Sequence, residues 1–267
     1  MSMNAEYDQS LGSPSAGSAF PASQSTHRGW YSRGYLPHCD YPGLLQSITY
    51  RLADSLPAAA LERMDAELRS LPPQRRDRER RQRIEDWLDA GHGCCVLREP
   101  EAAACVVENW RHFAGERYDL IAWVVMPNHV HLLIRVYEGV SLGKIVQSWK
   151  SYTGRRIRAM MEESRASAPQ SQGVWMREYW DRYVRDERHF EAVVRYIHDN
   201  PVKAGLVGKA EDWPWSSARE FAEIAEQALG DPGEGYPGIA EPALGGPGEG
   251  YPGITERLLG SAKERDK

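Results

Sequence analysis

His129 and His131 stand two residues apart in HVHLLIRV (129–136), an alternating run that reads as a β-strand. Successive strand side chains point to opposite faces, so both imidazoles share one face with Leu133 and Arg135. Val130, Leu132, Ile134 and Val136 supply an apolar face on the other side, so the core does not need the histidines. Two neutral ring nitrogens within one strand repeat can converge on a divalent cation. A bare His-x-His also suits two hydrogen-bonded strand histidines, and the pair alone does not decide between them.

A second group lies in DERHFEAVVRYIHDNP (186–201). Phe190, Val193, Val194 and Ile197 recur at helical spacing and form one core stripe. At about 100° per residue, Tyr196 falls on the flank of that stripe, with His189 seven residues before it and Asn200 four after. His198 falls on the opposite flank. A lone helical tyrosine usually caps a core edge. Here the Asn200 carbonyl one turn away could complete a metal site begun by His129 and His131, which puts the phenol beside the ion. Phosphodiester cleavage needs such a set: an in-line nucleophile, a Lewis acid with open positions, and a base or positive charge to take the phenol below its ordinary pKa. His189 is the nearest candidate for that last role.

The 267-residue chain carries a formal net charge of −5, which by itself argues against nucleic acid. Its distribution says more, because residues 221–267 hold nine acidic and four basic side chains and account for the whole imbalance. Between Ser141 and Met160 there are five cations, Lys144, Lys150, Arg155, Arg156 and Arg158, and no acid. A second basic run spans Arg75 to Arg83. Stripes of this kind can follow a phosphate backbone or simply face water. Four cysteines without a CxxC spacing read as reduced and structural. No apolar stretch is long enough for a membrane span and no signal segment is apparent, so a cytoplasmic protein is the expectation.

Residues 1–28 are rich in Ser, Ala, Gly and Pro and read as disordered. Residues 221–267 read as a Gly/Pro-rich acidic tail with a 15-residue tandem repeat, Gly230 to Leu244 and Gly245 to Leu259. Between them lies one domain, 29–220. It begins with a strand around Ile48, Tyr50 and Leu52, followed by an Arg-rich helical insertion at 57–95. A helix follows at 99–114, then a hairpin from 118–126 and 129–136 across the Pro127-Asn128 turn. A basic helix is predicted at 141–163, a strand at 175–184, and a last helix that Asp186 caps and Pro201 stops. The order predicts an α+β fold, a ferredoxin-like antiparallel or mixed sheet flanked by helices.

WVVMPNHVHLLI, the basic helix after it, and YWDRYVRDERHFEAVVRYIHDNPVKAGLV with WPWSS closely resemble the REP-associated tyrosine transposases. Those are relatives of the IS200/IS605 insertion-sequence transposases, in the HUH superfamily with one catalytic tyrosine. The resemblance covers roughly residues 29–220 and rests on PNHVH together with YIHDNPVKAGLV. It implies an HUH endonuclease core, Mg²⁺ or Mn²⁺, and cleavage of single-stranded, hairpin-forming repetitive DNA through a 5′-phosphotyrosine that leaves a free 3′-OH. Carried over, His129 and His131 are metal ligands, Tyr196 is the nucleophile and Asn200 the third ligand. The third ligand is a Gln in the insertion-sequence branch. The resemblance favours phosphate contacts for Lys150, Arg155 and Arg156, with Arg177 and Lys203 weaker candidates. Trp213 and Trp215 could stack on bases, but core-edge packing is the expectation for them. Monomer and homodimer are both compatible with it. Rival readings are a hairpin-DNA-binding protein without cleavage, and a hydrolase in which water attacks.

Overall fold

The computed structural model describes residues 29–32, 37–41, 43–163 and 173–229. The expectation of disorder at 1–28 and the tandem repeat from Gly230 therefore fall outside the described residues. The chain opens with a small antiparallel hairpin, β1 (Gly29–Ser32) and β2 (Pro37–Asp40). Strand β3 (Leu45–Arg51) leads to an insertion of two helices, α1 (Ala58–Leu68) and α2 (Pro73–Asp89). Helix α3 (Pro100–His112), the hairpin β4 (Tyr118–Val125) and β5 (His129–Val136), and helix α4 (Leu142–Glu163) follow. Strand β6 (Trp180–Tyr183), α5 (Glu187–Lys203) and α6 (Ala218–Leu229) complete the described part.

Four strands form one antiparallel sheet in the order β4-β5-β3-β6. With the insertion set aside, β3-α3-β4-β5-α4-β6 is the β-α-β-β-α-β arrangement of a ferredoxin-like fold, as the sequence predicts. Helices α3 and α4 cover one face. There Tyr50, Trp110, Tyr118 and Trp149 are fully buried with Val130, Leu132 and Ile134. Their polar tips are satisfied: Trp110 Nε1 donates to Tyr50 Oη (2.9 Å), Trp149 Nε1 to Tyr118 Oη (3.0 Å), and Tyr118 Oη to the Trp110 carbonyl (2.6 Å).

The other face carries the histidines, and α5 covers it. Phe190, Val193, Val194 and Ile197 pack on Val124, Met126 and Leu133, so this face also belongs to the core. A bulge at Ile121 shifts the β4 register between Leu120 and Ala122, and Ile121 and Ala122 both join that second cluster. Phe221 of α6 is buried there as well, so the helix runs through the expected domain end at 220.

Helix α5 starts where expected: Asp186 caps it, accepting from the His189 backbone N–H at 2.8 Å. It does not end at Pro201. The ring removes only the bond that residue would donate one turn back, and the helix continues to Lys203. The last carbonyls are taken up by Ala204 N on Asn200 O (3.0 Å) and Leu206 N on Pro201 O (2.9 Å), around Gly205 at φ +68°. The predicted strand at 175–184 is shorter, because only Trp180–Tyr183 pair with β3, while Trp175 makes an isolated bridge to Leu52.

Candidate active site

The turn between β4 and β5 is pinned on three sides. Leu52 N donates to Asn128 O (2.9 Å), Leu97 N to Pro127 O (3.2 Å), and Asn128 Nδ2 to His92 O (2.9 Å). The last bond orients the Asn128 amide, so its Oδ1 accepts from His129 Nδ1 at 2.7 Å. The proton thus sits on Nδ1, and Nε2 carries the lone pair. That Nε2 is buried and makes no hydrogen bond. On the neighbouring position of the same face, His131 Nδ1 pairs with Thr49 Oγ1 at 2.7 Å, Thr49 standing opposite it on β3. The two rings meet edge to face with centroids 4.7 Å apart. Burial holds both imidazoles neutral: His131 is lowered to about 3, and His129 lies well below the ordinary histidine range, with His131 beside it adding to the effect.

Tyr196 meets the pair. Its ring packs edge to face on His131, centroids 5.2 Å apart, and the Lys203 ammonium lies 4.9 Å from the centre of the phenol ring. The phenol is half-buried. Burial raises its pKa above the ordinary tyrosine value, Glu85 and Asp89 raise it further, and Asn200 and Arg182 oppose them. Asn200 is completely buried, and neither its Oδ1 nor its Nδ2 has a partner in good hydrogen-bond geometry. An amide left so in an interior costs free energy, which a bound ligand or ion would recover.

One contributor was not visible in the sequence. Helix α2, part of the Arg-rich insertion, ends with Asp89, whose Oδ1 lies 3.9 Å from His129 Nε2. Burial raises the Asp89 carboxyl to about 6, against the pull of Lys203. Ile84 and Leu88 dock α2 in a third apolar cluster with Leu56, Met64 and Leu68, against Trp180 of β6. That docking is a tertiary event without a local sequence signal. Thr49 was equally invisible, whereas Asn128 adjoins His129 and could have been noticed.

The other predicted residues separate into groups. His189 lies two turns from Tyr196, roughly 10 Å along the helix. Its Nδ1 accepts from Arg185 N at 3.3 Å, so it serves the start of α5 and is not placed to take the phenol proton. His198 faces away, toward Ser217 (2.9 Å) and Phe221. Lys203 is at the site. Lys150, Arg155 and Arg156 lie on α4, across the sheet from the histidines. Lys150 Nζ donates to the Arg177 carbonyl (2.7 Å) and the Glu178 carbonyl (3.4 Å), Arg155 to Ser151 Oγ (3.4 Å), and Arg156 lies beside the Cys105 thiol. The Arg177 side chain is exposed. Trp213 Nε1 donates to Val125 O (3.0 Å) and Trp215 packs on the larger core, as expected of core-edge residues. All four cysteines are free thiols. Among the described residues, no helix is long and apolar enough to cross a membrane.

Fold and site together define a ferredoxin-like α+β domain in which two strand imidazoles, a helical tyrosine and a buried amide share one face of the sheet. Residues 110–200, from the end of α3 to Asn200, match the family model described as transposase IS200-like. A Haemophilus influenzae protein provisionally named a REP-associated tyrosine transposase is 28% identical over 105 residues, covering 38% of this chain and 58% of the relative. The REP-associated tyrosine transposase of Escherichia coli K12 is 27% identical over 100 residues, covering 38% and 54%. The chain thus spans little more than half the length of these relatives. A solved structure of a REP-associated tyrosine transposase bound to a REP hairpin aligns with a TM-score of 0.41 at 18% identity, over 72% of this chain and 84% of that one. The α1–α2 insertion, and Asp89 with it, lies outside the family match.

Proposed function

We propose that the protein is a metal-dependent endonuclease and strand transferase acting on single-stranded, hairpin-forming repetitive DNA, with Tyr196 as nucleophile. The observation that carries this reading is the contact of the Tyr196 ring with His131, 5.2 Å between centroids, beside a second buried imidazole. The family match over 110–200 and the names of the relatives support it, the choice of repetitive DNA resting on those names.

The residues suit a divalent cation, Mg²⁺ or Mn²⁺. Both Nδ1 atoms are engaged, His129 Nε2 is buried without a hydrogen bond, and the Asn200 amide is buried without a partner in good hydrogen-bond geometry. His129, His131 and Asn200 would hold the ion. Among the described residues no ready-made group of three or more His, Cys, Asp or Glu ligands exists, so an amide donor is needed or a carboxylate must move in. When bound, the ion supplies a Lewis acid for a phosphate oxygen.

The chain's own residues do the rest. The Tyr196 oxygen, its proton passing to solvent, attacks phosphorus, a tyrosyl–phosphate bond forms, and the bond to the 3′ oxygen breaks, that oxygen taking a proton from solvent and leaving as a hydroxyl. In the conformation described, the half-buried phenol and the nearby Glu85 and Asp89 keep the proton on Tyr196. Activation therefore requires positive charge to outweigh the α2 carboxylates. Lys203 on the phenol ring is placed to contribute, and incoming phosphate is drawn to it. Arg155, Arg156 and Arg177 would follow the DNA backbone away from the chemistry, and Lys150 would do so only by leaving the carbonyls it now holds.

Labelled single-stranded hairpin DNA incubated with the protein and Mn²⁺ should give a covalent protein–DNA band on a denaturing gel that Tyr196→Phe abolishes. Cleavage without an adduct would mean that water attacks. A native-gel shift without cleavage would leave a hairpin-binding protein.

A further inference from the structure

We propose that Asp89, the last residue of α2, is a further ligand of the divalent cation held by His129 and His131, so that the α1–α2 insertion completes the metal centre. The proposal rests on the metal reading given above and adds a ligand from outside the family-matched segment.

The geometry is that of two acceptors facing each other. His129 Nδ1 donates to Asn128 Oδ1, so Nε2 presents a lone pair, and the Asp89 carboxylate lies opposite it, Oδ1 at 3.9 Å. A lone pair and a carboxylate repel unless something positive lies between them. A proton would draw the two atoms to hydrogen-bond distance, near ~2.8 Å. A cation holds them further apart: donors each ~2.1 Å from one ion stand ~3 Å apart at right angles and ~4 Å apart when opposed. The observed 3.9 Å lies near the upper end of that range, and because no three His, Cys, Asp or Glu side chains converge among the described residues, the carboxylate must still close in to share an ion with His131. His129 Nε2 is also fully buried and makes no hydrogen bond, and on the helix that covers it Asn200 is fully buried with only the Tyr196 phenol acting on its amide.

The helix itself is set up against a carboxylate unless a cation is near. The C-terminus of a helix carries the negative end of its dipole and favours basic side chains. Helix α2 has Asp86 and Asp89 in its last turn and no base there. Ile84 and Leu88 fix its register by packing with Trp180, which pairs with Thr49 on the strand beside His131. The docked helix thus aims its negative end and a carboxylate at the imidazole pair. The chemistry agrees, because Mg²⁺ and Mn²⁺ prefer charged oxygen donors, and two imidazoles with one amide carry no charge.

The test is Mn²⁺ binding by the full chain without DNA, measured by calorimetry and by the Mn²⁺-induced rise in Tm, with circular dichroism to verify folding. Asp89→Asn should weaken Mn²⁺ binding tenfold or more and remove most of the thermal shift. Asp86→Asn, in the same turn, should stay within twofold of wild type, and His131→Ala should abolish binding. If Asp89→Asn binds Mn²⁺ like wild type while His131→Ala does not, the metal centre stands and Asp89 is no part of it. If His131→Ala also binds like wild type, or wild type binds no Mn²⁺, the metal reading fails and takes this proposal with it.

Discussion

Each imidazole on β5 is held through Nδ1, one by an amide of its own turn and the other by a hydroxyl from the next strand. Partners of this kind set a ligand's tautomer and aim. Thr49→Val keeps the shape and removes the hydroxyl, so it should weaken Mn²⁺ binding by about 10–100-fold. Stability should change by only about 1 kcal/mol, as read from chemical denaturation. The spacing of His129 and His131 made the pair legible, and helical periodicity put Asn200 on the flank of Tyr196. Thr49 was not legible, because strand pairing of β3 with β5 joins residues 82 positions apart. His198 gives a second test at this scale. Burial lowers it to about 4, so the unfolded chain takes up the proton first as pH falls. Its contribution to stability is complete above about 6.5 and is lost between there and about 4. His131, lowered to about 3, acts with the same sign over a wider window. His198→Gln should therefore flatten the dependence of unfolding free energy on pH in that window by up to about 1.4 kcal/mol per pH unit. An unchanged slope would mean that His198 takes up its proton without unfolding.

Elements differ in how much their sequences reveal. The β4–β5 hairpin was readable because each strand alternates and a Pro-Asn turn joins them, and β5 occupies the residues expected. Hairpin β1–β2 was not, since two four-residue strands in a Gly- and Pro-containing stretch carry no periodicity. Helix α6 was hidden in the acidic tail, where the buried Phe221 is a faint signal. Helix α2 is the instructive case. Its existence was legible from the Pro-Pro break and the charged run, but its destination was not, because only Ile84 and Leu88 are buried along 17 residues. Leu88→Ala should cost about 2–5 kcal/mol of local packing. The α1–α2 cluster is separate from the two sheet cores, so the loss should appear as faster hydrogen exchange in α1 and α2, with the four-stranded sheet still protected. If Asp89 binds the metal, Mn²⁺ affinity should fall with it.

Over the whole molecule, the sheet divides the cations between two surfaces. Lys203 stands with Tyr196 on one face, while Arg155 and Arg156 project from α4, which packs on the other. The sequence showed the basic stripe but could not show which side of the sheet it covers, since that depends on the β-α-β-β-α-β crossovers and not on composition. Charges on opposite faces should act on different steps. If Tyr196 is the nucleophile, Lys203→Ala removes the cation over its phenol ring, and the rate of adduct formation at saturating DNA should fall about tenfold. Arg155→Ala with Arg156→Ala should weaken hairpin binding and lower the salt dependence of affinity by about 0.7–0.9 in slope for each phosphate left without its cation. The saturating rate should not change, because neither side chain reaches Tyr196. Single-turnover adduct formation measured across DNA and salt concentrations separates the two effects. A fall in the saturating rate on removal of the α4 arginines would require the DNA to clasp both faces of the sheet during chemistry, and the division of labour between the surfaces would then be wrong.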